Sequence, residues 1–151
     1  MPNQQQQFVQ FLNQELSNFT VMYIKLHRYH WYVQGKHFFS LHELFETMYE
    51  EFADNIDQLA ERILAIGGRP LATMAKYLDE KTLAEASADN TEEEMIEQLR
   101  SDLRLIVSEI REKGIPLGEE IQDSATVDLL NDYVFTFEKH IWMLEAFQNA
   151  R

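Results

Sequence analysis

The sequence has no cysteine, which excludes disulfide cross-links and thiolate metal sites alike. It has no apolar run approaching the ~20 residues of a membrane span. The opening Met-Pro-Asn-Gln-Gln-Gln-Gln does not read as a signal peptide, so the expected compartment is the cytoplasm, with no membrane partner. Positive charge is scarce. Thirteen Lys and Arg stand against 26 Asp and Glu, and the net charge of −13 disfavours a DNA or anionic-membrane surface while suiting cations. The first 24 residues carry no Lys or Arg, and neither does the stretch between Lys36 and Arg62, which holds seven acids. Glu-x-x-His, the inward-facing motif of di-iron helix bundles, is absent, so an intrabundle centre of that kind is not supported.

What is present is periodic. The 45% of apolar residues and the length of 151 residues suit one domain, 1–151, with a sizeable core. Residues 1–7 form a polar, glutamine-rich lead expected to fray. Phe8, Leu12, Leu16, Phe19, Tyr23, Leu26 and His30 then trace a helical stripe that stops near Gly35. A second helix is expected to open at Ser40, with Ser40 and Glu43 as a capping box and Phe39 and Leu44 as its staple. Leu41, Phe45, Met48, Phe52, Ile56, Leu59 and Ile63 are its apolar stripe, and Gly67-Gly68 its end. A connection from Arg69 to Thr91 carries a short helical piece, Ala72 to Leu78. Thr91 and Glu94 cap a third long helix running to Gly114, ahead of Pro116. Its stripe is Met95 or Ile96, Leu99, Leu103, Ile106 and Ile110. Asp123 or Ser124 caps a fourth, with Val127, Leu130, Val134, Phe137, Ile141, Leu144 and Phe147 facing the core. Four long helices with one long middle crossover read as an all-α, ferritin-like four-helix bundle with a short extra helix in the crossover. Trp31 and Tyr32 read as packing residues.

The second helix carries another stripe. His42, Glu46, Glu50, Asp54, Asp57 and Glu61 recur at steps of three or four, on a face turned away from the apolar one. A histidine followed by a ladder of carboxylates suits Fe(II), Zn(II) or Mn(II), and His30 returns a second imidazole one short loop away. Distance constrains how the set could act. His42 and Asp57 are 15 residues apart, or ~22 Å along a helix at ~1.5 Å per residue, whereas ligands to one ion lie ~2 Å from it. One copy of the helix cannot bring both ends to one metal. Two antiparallel copies about a two-fold axis can, giving two equivalent sites.

His30-Trp31, Gly35, Phe39, Leu41-His42, Tyr49 and Asp57-x-x-Ala60-Glu61-Arg62 resemble the signature of the Dps family, the dodecameric miniferritins, and the resemblance spans nearly the whole chain. It implies a hollow shell of twelve subunits that oxidises Fe(II), often with hydrogen peroxide and otherwise with oxygen, and stores the ferric mineral inside. Carried over by position, His30 and His42 come from one subunit and Asp57 and Glu61 from its two-fold partner, in agreement with the distance argument. A two-metal centre would add Glu46, where many members carry Asp. Glu119, Asp123 and Asp128 match or adjoin acidic pore positions of the family. Members that condense DNA often carry lysines in a mobile N-terminal tail, which this chain lacks. The rival readings are a nucleoid-associated protein that covers DNA and a catalytically silent helical scaffold.

Overall fold

The computed structural model describes residues 1–87 and 89–149; Ala88, inside the expected connection, and residues 150–151, at the end of the expected domain, lie outside the described residues. Helix α1 spans Gln4–Tyr32, α2 Phe38–Ala65, α3 Met74–Glu80, α4 Glu92–Glu109, α5 Ile115–Glu120 and α6 Ser124–Gln148. A π-helical turn, Ile110–Gly114, joins α4 to α5, and no strand occurs among the described residues.

Side-chain pairs fix the helix directions. The start of α2 meets the start of α4 through His37 and Glu92, so these two helices run parallel. Tyr29 reaches Gln98, and Asn18 reaches Glu109, so α1 runs antiparallel to α4. Arg62, near the end of α2, meets Asp123 at the start of α6. The long crossover permits the parallel pair, and the result is the ferritin-like bundle.

The core follows the apolar stripes. Phe19, Phe52, Tyr133 and Phe137 bring α1, α2 and α6 together as an aromatic nucleus, with ring centroids 5.1–6.0 Å apart. Each such pair contributes about 0.5–1.5 kcal/mol beyond simple burial. On α4 both Met95 and Ile96 are buried, beside Leu99, Leu103, Ile106 and Ile110.

The crossover is tied to α1 by polar side chains at successive turns. Asn13 binds Arg69 O and Leu71 N, Asn18 accepts from Thr82 N and Leu83 N, Lys25 donates to Ala84 O, and Arg28 pairs with Asp89. Lys25 is buried and also pairs with Asp102 of α4 at 2.6 Å. These bonds satisfy backbone groups that a long connection would otherwise bury without partners.

Several helix ends differ from the sequence reading. Residues 4–7 are helical, because Asn3 and Gln6 form a reciprocal capping box. Helix α2 begins at Phe38, two residues before Ser40, and Phe39 is exposed and forms no staple; Ser40 Oγ donates to His37 O instead. Helix α3 is shifted two residues downstream, where Thr73 accepts from Lys76 N. Thr91 and Asp123 do cap α4 and α6.

Gly114 does not end the third long helix. Ile115 N–H reaches back five residues to Ile110 O, and the wider turn accommodates the Pro116 ring, which would clash in an unbroken α-helix. The helix therefore continues to Glu120. Gly114 is buried there, and a Cβ would meet Phe11 Cε2 at 2.3 Å. Gly114→Ala should destabilise the fold by about 1–3 kcal/mol through overpacking, seen as a lower urea midpoint at unchanged slope. An unchanged midpoint would mean that Phe11 yields freely.

Candidate metal centre

Two of the sequence-predicted ligands meet at the α1–α2 turn. His30, in the last turn of α1, is buried, and His42, in the first turn of α2, is half-buried. Their rings stack at 3.7 Å with 11° between planes. His30 Nδ1 lies 2.6 Å from His42 O, and His42 Nδ1 lies 2.7 Å from His30 O. A carbonyl oxygen can only accept, so each Nδ1 carries the proton and donates. In the neutral ring Nε2 is then bare, with a lone pair, the form in which imidazole ligates a metal.

Glu46 stands one turn after His42, its Oε1 3.7 Å from His30 Nε2, and it is half exposed. Phe38 stacks on His42 at 4.9 Å and 20°, so that ring is held between an aromatic and the second imidazole. Tyr49 stands edge-on to His30 at 5.5 Å. Partial burial, and then the charges of Glu46 and Glu50, push its hydroxyl pKa upward.

Asp57 and Glu61 form a second group on exposed turns of α2, further along the same helix. A hydrogen bond to Asp57, then its charge, raises the Glu61 carboxyl from its ordinary value, as expected of two neighbouring acids. The structure thus brings His30, His42 and Glu46 together at one end of α2 and Asp57 with Glu61 at the other. It does not join the two groups: among the described residues of a single chain, no cluster of three or more His, Asp or Glu is placed to hold a metal.

Three histidine contacts were missed by the sequence reading. His27 stacks on Tyr49 at 3.7 Å, His140 Nε2 meets Glu51 Oε2 at 2.7 Å, and His37 Nδ1 donates to Glu92 Oε2 at 2.9 Å. The latter two pairs join residues 89 and 55 positions apart, so no local signal marks them. Trp31 and Tyr32 are not packing residues within the chain, being 68% and 54% exposed at the end of α1. Trp31 leans on His27, and Arg28 lies over the Tyr32 ring.

A bundle with a parallel α2–α4 pair and one long crossover defines a ferritin-like protein. The ferritin-like domain model matches residues 9–150. General stress protein 20U of Bacillus subtilis is 45% identical over 142 residues, covering 94% of this chain and 97% of its own. DNA protection during starvation protein 2 of Bacillus anthracis is 44% identical, covering 95% of this chain and 97% of its own. The crystal structure of a Dps protein from Bacillus brevis superposes with a TM-score of 0.94 at 41% identity, over 99% of this chain and all of that one. The chain belongs to the Dps family.

The acids expected near a pore divide in two. Glu119 and Asp128 are exposed, but Asp123 is engaged. It accepts from Thr126 N at 3.1 Å, Thr126 Oγ1 at 2.6 Å and Arg62 Nη2 at 3.1 Å, while Arg62 Nε donates to Thr126 Oγ1 at 2.8 Å. Burial pushes the Asp123 carboxyl up, but Thr126 and Arg62 together hold it below its usual value. Its capping role is therefore the one observed. A carboxyl depressed in the fold stabilises fully above its unfolded pKa of ~3.9 and loses that contribution as pH falls through the folded value. Asp123→Ala should cost about 1 kcal/mol at neutral pH, a deficit that shrinks as pH drops below ~4. Thermal melts of both proteins across pH 3–7 check this; a deficit constant with pH would contradict the ionised cap.

Proposed function

We propose that this protein is an iron-storing ferroxidase whose oxidation sites are each shared by two subunits of a twelve-subunit shell. The observation that carries the reading is the reciprocal imidazole–carbonyl pair, which leaves two Nε2 lone pairs side by side. Fe(II) is the substrate. His30 and His42 of one subunit bind it with Asp57 and Glu61 of the two-fold-related subunit, and Glu46 is placed to hold a second ion. Mixed imidazole and carboxylate ligands suit Fe(II).

With hydrogen peroxide as oxidant, two Fe(II) ions each release one electron and the O–O bond breaks. Two waters complete the products, which are two FeO(OH) units and four protons. Oxygen would serve as the alternative oxidant. Ferric product collects in the cavity of the shell, and removing Fe(II) and peroxide together suppresses hydroxyl-radical formation. The exposed acids Glu119 and Asp128, near the start of α6, would draw cations toward three-fold pores.

One relative differs from this reading in name, being called DNA protection during starvation protein 2. Protection by coverage of DNA needs cations to neutralise phosphates. A net charge of −13 and an N-terminal stretch of 24 residues without Lys or Arg favour protection through iron chemistry.

The shared site makes a strong prediction for hybrids. A variant with His30→Ala and His42→Ala, and another with Asp57→Ala and Glu61→Ala, should each be nearly inactive, because every site loses half its ligands. In a mixed two-fold pair one site loses everything and the other is complete. Random co-assembly of equal amounts makes about half the pairs mixed and so restores about a quarter of all sites. Fe(II) oxidation followed optically in co-refolded hybrids of confirmed mixed composition checks this. Hybrids as inactive as their parents would sink the shared site.

A further inference from the structure

We infer that Glu92, at the first turn of α4, is a positioning residue for the paired imidazoles, an inference that rests on the ferroxidase reading above. Glu92 is remote in sequence from both histidines, and its carboxylate is 11% exposed. Oε1 accepts from His37 N at 2.9 Å, and Oε2 accepts from His37 Nδ1 at 2.9 Å. Helix α2 has no side-chain cap from its own N-cap residue, so the anion at its N-terminus comes from α4. Burial pushes the Glu92 carboxyl up, but bonds from the His37 ring and amide, with the charges of His37 and Lys36, hold it below the ordinary range.

Gly35 makes room for this contact. Its φ of +126° favours glycine, and a Cβ there would meet Glu92 Oε1 at 2.6 Å. The next residue after His37 is Phe38, whose N–H donates to Gly35 O at 3.2 Å and whose ring covers one face of His42. His30 covers the other face. A continuous set of contacts therefore runs from Glu92 through His37 and Phe38 to His42 and His30.

The imidazole pair tolerates little displacement. Its two bonds are 2.6 and 2.7 Å long, and N–H···O bonds weaken beyond ~3.2 Å. A shift of ~1 Å between the first turn of α2 and the end of α1 would break them. Each ring would then be free to place its proton on either nitrogen, and Nε2 would no longer be reserved for metal. Glu92 prevents that shift from a third helix, without touching the metal.

The test uses the assembled, metal-free protein labelled with ¹⁵N-histidine, comparing the parent with Glu92→Ala, Glu92→Asp and Glu92→Gln. Ring nitrogen shifts report the tautomers of His30 and His42 without any iron. Fe(II) oxidation with peroxide, at limiting and saturating Fe(II), reports the consequence. Asp is too short to reach His37, whereas Gln keeps the acceptor for His37 N and a second polar atom for the ring. The parent and Glu92→Gln should show only Nδ1–H at both histidines. Glu92→Ala and Glu92→Asp should show mixed tautomers and about a ten-fold rise in the Fe(II) concentration giving half-maximal rate, with the plateau little changed. Parental tautomers and parental Fe(II) dependence in Glu92→Ala and Glu92→Asp would overturn the proposal. If Glu92→Ala fails to assemble, the comparison of Asp with Gln decides: equal behaviour overturns the proposal, and loss in Asp alone supports it. Tautomers that respond as expected in a protein that does not oxidise iron would uphold the positioning role and overturn the ferroxidase reading instead.

Discussion

Two imidazoles placed face to face at 3.7 Å, each donating Nδ1–H to the other residue's carbonyl, set the terms for the rest of this molecule. The arrangement needs the end of one helix and the start of the next to be held in register, since a shift of ~1 Å would break both bonds. In neutral rings it leaves both Nε2 atoms unprotonated. Glu46 stands beside them, its Oε1 3.7 Å from His30 Nε2, while Asp57 and Glu61 lie further along α2. The register of one helical hairpin therefore sets the geometry of the imidazole pair.

The bundle holds that register by several independent means. The aromatic nucleus of Phe19, Phe52, Tyr133 and Phe137 locks α1, α2 and α6 in the middle of their lengths. At one end of α2, Arg62 binds both the cap of α6 and Thr126. Polar groups inside the bundle are matched in the same way. Burial pushes the carboxyl of Glu15 well up, and a hydrogen bond to Glu109 adds to the shift. Asn18 donates to both of them and to Thr82 Oγ1. Removing one partner from such a buried set leaves the others unsatisfied, which costs more than the bond itself contributes.

Much of this was legible in the sequence, for a physical reason: a core face repeats every three to four residues, and that repeat survives any change in neighbouring helices. The stripes on α1, α2, α4 and α6 and the caps at Thr91 and Asp123 are local features of this sort. His30 lay on the apolar stripe, so its burial followed, and the acids of the ladder from Glu46 to Glu61 lie on the exposed face as their spacing implied. Contacts between helices were not legible. The start of α2 was placed at Ser40 because Ser-x-x-Glu is a local signal, while the group that serves that end is Glu92 from another helix. Pro116 reads as a stop, yet a π turn carries the helix past it at the cost of a buried glycine against Phe11. The N-terminal glutamines read as a frayed lead, although Asn3 and Gln6 satisfy each other's backbone. Trp31 and Tyr32 read as packing residues, and only tertiary structure shows them exposed.

The central claim is that one metal site is built from two subunits through the bare Nε2 atoms. Anomalous diffraction from crystals loaded with zinc, as a redox-inert stand-in for Fe(II), tests it most directly. The account predicts metal ~2.0–2.2 Å from Nε2 of His30 and His42 of one subunit and from carboxylate oxygens of Asp57 and Glu61 of the subunit related by the two-fold axis. Metal held entirely by residues of one chain, or ligated through Nδ1 with the carbonyl bonds broken, would contradict it.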